Sequence, residues 1–200
     1  MNDKQGGPDR RALHDIAIGQ HGYFTWSQAR ACGYSSALIS HHASTGGFER
    51  IRRGVYRFAD IPRFEREAEL TAWLAGGRDD SVLSHETALE LLGLSDALPS
   101  GIHLTVPRSR RGYSGGPDVQ VHTTSRPLRS DERTTWRGLS LTSPARTIVD
   151  AADTGTQPEQ IVKAVQAAVE RTMTTPERLL RQADERSARI SELVRQSLVG

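Results

Sequence analysis

Between Tyr34 and Arg57 the chain spaces small hydroxyls, an imidazole and several guanidinium groups in a way that suits hydrogen bonding to a polyanion. Ser36, Ala37, Ser40, His41 and Ser44 fall on one side of a helical pattern, and Ile39 and Ala43 fall on the other. Short donors and acceptors of this kind can approach base edges in a major groove. None is an Arg or Asn, the residues that make the strongest bidentate base contacts. Arg50, Arg52 and Arg53 follow closely and suit phosphate oxygens, as does the helix N-terminus at Ser35. The chemistry on offer is recognition: modest direct readout by Ser36, Ser40 and His41, with affinity drawn largely from phosphates. Plainer readings stand beside it. Ser36 and Ser40 also fit ordinary surface positions, and Arg52 and Arg53 fit solvated turn charges. His41 and His42 are either solvated or packed. As neighbours they point about 100° apart on a helix, which makes them poor joint metal ligands.

The elements that must position these groups span His21 to Asp60. Thr25 reads as the N-cap of a first helix through Trp26, Ala29 and Cys32, with Gly33 as its stop. Ser35 caps a second helix from Ser36 to about Ser44, which Gly46-Gly47 ends. Phe48 to Ile51 and Val55 to Phe58 each read as a strand with one buried face, turning at Arg52-Arg53-Gly54. Helix, turn, helix and basic hairpin together describe a winged helix-turn-helix, whose second helix enters the major groove of DNA.

Composition sets the outer bounds. With 200 residues and 36% apolar content, the chain has room for a small domain and a larger one. The net charge is only +2, but basic residues exceed acidic ones through Pro62 and fall slightly short of them beyond it. Arginine replaces lysine everywhere except Lys4 and Lys163, as a GC-rich coding sequence would also produce. The single cysteine, Cys32, excludes an intramolecular disulfide and favours a cytoplasmic location. No apolar run approaches the roughly 20 residues that span a bilayer, and the polar N-terminus does not resemble a signal peptide.

Organisation follows from the punctuation. Residues 1–9 read as a loose tail, and residues 10–62 as the winged helix-turn-helix, led by a helix from Arg10 to about Ile18. Its inward residues are Leu13, Ala17 and Ile16. Ile61-Pro62 marks the exit, and residues 63–155 read as an α/β domain. That domain opens with the apolar helical surface of Ala68, Leu70, Ala72, Trp73 and Leu74. Ser81-Val82-Leu83 is a short buried segment, and Ser84 caps a helix from His85 to Leu92 that stops at Gly93. Strands are expected at Ile102–Val106, Val119–Thr123 and Leu139–Thr142, with a flexible basic loop from Pro107 to Pro117. Ser143-Pro144 starts a further helix. Residues 156–200 read as two amphipathic helices, about Gln157 to Arg171 and Thr175 to Leu198. The expected fold class is α+β. The second of these end helices is apolar enough to dimerise and equally able to pack back on its own domain.

Catalytic patterns do not assemble. His85-Glu86 and Asp118 invite metal or nuclease chemistry, but Lys4 and Lys163 lie far from the strands where a restriction-type nuclease needs its lysine. His103 and His122 alternate along their strands toward solvent, and no cluster has metal-ligand spacing. Gly112 to Gly116 lies between strands and is no phosphate loop, and Cys32 lacks a partner. The expectation is a protein without catalytic residues, metal or cofactor. Arg108, Arg110 and Arg111 read either as a solvated loop or as a second nucleic-acid contact.

Four segments in series, IRRGVYRFAD, VLSHETALELLGL, IHLTVPRSRRG and GLSLTSPARTIVDAA, resemble AbiEi-type antitoxins over roughly residues 10–155. These are the DNA-binding halves of two-gene abortive-infection toxin–antitoxin systems in bacteria. The resemblance implies a winged-helix N-terminal domain that binds inverted repeats in its own promoter, and a C-terminal domain needed for antitoxicity. It also implies a nucleotidyltransferase-like toxin as functional partner, neutralised without a stable complex, and it supports the Arg108 loop as a DNA contact. Two alternatives stay open: a stand-alone transcriptional regulator, and an interaction module that grips the toxin directly. Self-association on adjacent half-sites is compatible with all three, and no membrane partner is expected.

Overall fold

The computed structural model describes residues 7–96 and 98–199. They form an α+β fold in two compact units, one ending at Gly77 and the other starting at Arg78. The N-terminal unit is a winged helix-turn-helix. It comprises α1 (Arg10–Ile18), β1 (Tyr23–Thr25), α2 (Trp26–Ala31), α3 (Ser36–Ser44), β2 (Phe48–Arg52), β3 (Val55–Phe58) and α4 (Glu67–Gly77). The three strands pair antiparallel in the order β1-β3-β2.

Local chemistry sets these boundaries. Thr25 and Gln28 form a reciprocal capping box at α2, and the Ser35 hydroxyl accepts the Leu38 amide at 3.1 Å to start α3. Leu13, Ala17, Phe24, Ala29, Tyr34, Ile39, Phe48 and Phe58 close over one core. Two expectations are corrected here. Residues 1–6 of the expected tail lie outside the described residues. Asp9, however, belongs to the fold: its carboxylate accepts the Ala12 amide, and its own amide donates to the Cys32 carbonyl. The boundary at Pro62 also moves. The apolar surface of α4 packs on β1, β2 and β3, burying Leu70 to Leu74, because a three-stranded sheet leaves one face that needs cover. Tyr23 Oη donates to Glu67 at 2.5 Å across that junction.

The C-terminal unit comprises β4 (Val82–Leu83), α5 (His85–Leu91), β5 (Ile102–Pro107), β6 (Val119–Thr124), β7 (Arg133–Trp136), β8 (Leu139–Thr142) and α6 (Pro144–Asp153). It ends with α7 (Pro158–Glu170), α8 (Pro176–Asp184) and α9 (Ala188–Val199). The sheet order is β6-β5-β4-β8-β7, with parallel pairs β5/β6 and β4/β8. Three strands were not expected: β1, and in this unit β4 and β7. β4 is too short to show a period, and β7 is polar because it lies at the sheet edge. Ser84 precedes α5 without capping it through its side chain.

The expected final helix from Thr175 to Leu198 is two helices. The chain turns at Glu185 to Ser187, where Arg186 pairs with Asp150 and Asp153 of α6. α9 then folds back on α7 and α8, burying Ile190 and Val194 within the unit. The end helices therefore belong to the same unit as the sheet and form no separate segment from residue 156.

Candidate nucleic-acid interface

α3 is built to present one face. Ile39 and Tyr34 are buried in the core of the unit, while Ser35, Ser36, Ala37, Ser40, His41 and Ser44 are exposed. The expected polar face is thus present as a continuous stripe, although its members are not equivalent. Ser35 accepts a hydrogen bond as the cap, which leaves its own hydroxyl hydrogen available to a ligand. Ser44 Oγ donates to the His41 carbonyl at 2.9 Å, so its hydrogen is spent on its own helix. His42 turns inward, its ring 4.8 Å from that of Phe48. That settles the choice between solvated and packed for His42, and His41 alone carries an imidazole on the exposed face.

α3 packs against β2, so the hairpin runs beside it. The register shifts between Arg50 and Arg52, a bulge that inserts Ile51 and twists the strand before the turn. Gly54, second in the turn, adopts φ +76, a left-handed conformation that glycine takes without a Cβ clash. Arg50 and Arg53 are exposed and form no ion pair among the described residues, whereas Arg52 is half-buried. Arg57, by contrast, is buried and structural. It pairs with Glu49 at 2.6 Å, and its hydrogen bond, with help from Arg63, holds the Glu49 carboxyl below the usual range.

Trp26, the first residue of α2, faces outward. It is 43% exposed, with the Arg30 guanidinium 5.7 Å above its ring. Its amide donates to the Gly54 carbonyl at 2.8 Å, which ties the start of α2 to the hairpin tip. Helical periodicity could not reveal this, since an aromatic next to an N-cap reads equally well as core.

In the C-terminal unit, the loop after β5 opens with a short turn. Arg108–Arg110 makes one 3-10 turn, and Arg110 Nε lies 3.4 Å from Asp80. Arg108 and Arg111 are exposed. A charged cluster lies elsewhere in the same unit. Glu132, 1% exposed, is held by Arg126 and Arg146, and Asp150 is held by Arg146 and Arg186.

The expectation that no residues have metal-ligand spacing is overturned. His85, His103 and His122 converge, with one ring nitrogen from each lying within 4.8 Å of the others. Strand alternation suggested that His103 faces solvent, but β5 lies inside the sheet with both faces covered, and His103 is 5% exposed. The parallel pairing that sets Thr105 opposite His122 brings the two side chains together, with His103 Nδ1 3.1 Å from His122 Nε2. The His85 and His122 rings stack at 3.6 Å. Burial pushes His85 down to about 2 and His122 down to about 4, each further lowered by the neighbouring imidazoles, and burial lowers His103 as well. The direction of all three shifts favours the neutral imidazole.

Residues 11–59 match the family model described as a transcriptional regulator, AbiEi antitoxin. Residues 81–199 match the model of the AbiEi antitoxin C-terminal domain. No curated protein matches the chain. Among solved structures, the crystal structure of the Rv2827c protein from Mycobacterium tuberculosis aligns with a TM-score of 0.63 at 18% identity, covering 96% of this chain and 79% of that one. At that identity the likeness concerns the fold alone. No helix of the described residues is long and apolar enough to cross a membrane.

Proposed function

The chain belongs to the AbiEi antitoxin family, and on that footing we propose that it is a sequence-specific DNA-binding antitoxin that represses its own toxin–antitoxin operon. The observation that carries this reading is the exposed stripe Ser36, Ser40 and His41 on α3, beside a hairpin whose Arg50 and Arg53 are exposed with no ion pair among the described residues. A guanidinium without a carboxylate partner retains its full charge for phosphate. Ser35 contributes through the helix N-terminus and Arg52 through the hairpin, while Ser44 offers only acceptor lone pairs. Small hydroxyls and one imidazole supply limited base discrimination, so paired half-sites in a promoter inverted repeat would raise specificity.

Arg108 and Arg111 add a second phosphate contact in this reading, and Arg110 adds less because Asp80 partly neutralises it. The C-terminal unit provides antitoxicity against a nucleotidyltransferase-like toxin encoded beside it, in the cytoplasm and without catalysis of its own. The deciding experiment is a gel-shift titration of the full chain on the DNA upstream of its own gene, with scrambled competitor. Competitor-resistant binding that an Arg50→Ala/Arg53→Ala variant loses supports the reading. Binding that scrambled DNA removes equally well refutes it.

A further inference from the structure

His85, His103 and His122 come from three elements, the start of α5, β5 and β6, and their convergence carries an inference independent of DNA binding. We propose that these three imidazoles form a binding site for a divalent transition cation of the zinc class, with a fourth ligand supplied from the adjoining cavity. Nitrogen donors without a carboxylate in the set favour such an ion over magnesium or calcium. Imidazoles around a tetrahedral zinc hold their donor atoms about 3.4 Å apart, given Zn–N bonds of about 2.1 Å. The three ring nitrogens already lie within 4.8 Å of one another. Loading the site therefore requires ring rotation, chiefly to separate the stacked His85 and His122, and no movement of a strand.

The surroundings fit ligands more closely than filler. Ser84 stands at the N-cap of α5, yet its hydroxyl does not cap the helix. It lies instead 2.8 Å from His85 Nδ1 and 2.7 Å from Thr105 Oγ1, which fixes the His85 ring and leaves its Nε2 for a ligand. The helix start thereby forgoes the side-chain acceptor that a serine normally supplies there. His85 also holds φ +51, a strained conformation for a residue with a Cβ. His103 Nε2 is buried with no hydrogen-bond partner, and Glu86 Oε2 stands 3.9 Å away. Glu86 is itself positioned by Thr156, whose hydroxyl donates to Oε1 at 3.0 Å. When His103 Nδ1 binds a cation, its proton resides on Nε2, facing that carboxylate. The orphaned nitrogen then becomes the outer hydrogen bond that orients metal-bound histidines.

The cavity beside the cluster is about 200 Å³ and is lined by His85, His122, Thr105, Arg146, Asp150 and Arg186. It is polar and large enough for several waters, so the fourth position can be filled by solvent. The ion would tie α5 to β5 and β6, and its binding would add to the stability of the C-terminal unit.

The test uses the tag-free full chain, stripped with chelator and titrated with zinc chloride by calorimetry. One equivalent should bind and raise the unfolding temperature, and cobalt(II) in place of zinc should give the intense absorption of a tetrahedral site. His103→Asn and His122→Gln should abolish both signals, while a His41→Ala control, at an exposed histidine, should retain them. Glu86→Gln should keep the stoichiometry and weaken affinity about 10- to 100-fold. Unchanged zinc binding in folded His103→Asn and His122→Gln would overturn the assignment. Should those variants fail to fold, a wild-type chain that takes up no stoichiometric zinc, or shows no tetrahedral cobalt spectrum, overturns it alone.

Discussion

The amide of Trp26 donates to the carbonyl of Gly54 at 2.8 Å, tying the first residue of α2 to the tip of the β2–β3 hairpin. The helix-turn-helix and its wing are thus joined at the tip as well as through the sheet. Gly54 is the weak point of the join. It holds φ +76, although a Cβ there would meet open space. Gly54→Ala should therefore cost only about 1 kcal/mol through backbone strain, readable as a small drop in unfolding temperature. Promoter affinity should fall by more than that stability loss accounts for. Undiminished affinity would separate the wing tip from the interface.

Removing arginines from the hairpin should act on all DNA sequences alike. For Arg50→Ala/Arg53→Ala, binding at two or more salt concentrations should show a flatter dependence, by about 0.9 in log–log slope for each phosphate no longer neutralised. Arg52→Ala added to the pair should flatten it further. A slope equal to wild type would place these guanidinium groups away from the phosphates.

Changes on the outer face of α3 should have the opposite signature. Ser40→Ala/His41→Ala removes base-facing groups and no guanidinium, so affinity for scrambled DNA and the salt slope should both hold. The ratio of promoter to scrambled affinity should drop by about tenfold, the worth of one or two neutral hydrogen bonds. Loss of scrambled binding in parallel would argue that α3 acts only through its fold.

Ile39 anchors that face from behind at 1% exposure. Ile39→Ala should destabilise the N-terminal unit by about 2–5 kcal/mol, measured by denaturant titration. Hydrogen exchange should show the loss confined to residues before Gly77. Protection falling equally in the C-terminal unit would contradict independent cores.

Acid stability should report on Glu132. Burial by itself would raise its pKa, but hydrogen bonds from Arg126 and the Arg129 amide, together with the charge of Arg146, bring it from 4.5 down to about 2. A depressed folded-state value means that its contribution, on the order of 3 kcal/mol, is complete above about pH 4.5. It drains away as the pH falls toward about 2. Glu132→Gln should lower stability at neutral pH and flatten this acid limb. An acid limb of unchanged steepness would assign the pH dependence to other carboxylates.

Much of the N-terminal unit was legible from local signals alone. Thr25, Gly33, Ser35 and the Arg53-Gly54 turn act through hydrogen bonds and dihedral angles within a few residues, so their sequence reading and their structure agree. The side of α3 that faces outward followed from helical periodicity for the same reason. The edges of the unit were not legible. The apolar surface of α4 reads as the start of something new, and only the sheet beside it shows what that surface covers.

What the residues determined by themselves was a winged helix with a basic hairpin and an α/β partner unit, because capping, turn chemistry and periodicity are local. Tertiary structure alone decided that Thr175 to Leu198 breaks, since Arg186 finds its carboxylates far upstream in α6. It likewise decided the fate of the histidines. Alternation along a strand tells which side chains share a face, but not whether that face is covered or which strand lies alongside. Sheet order and parallel register place β6 next to β5, and that pairing, a long-range choice, brings His85, His103 and His122 within reach of one another.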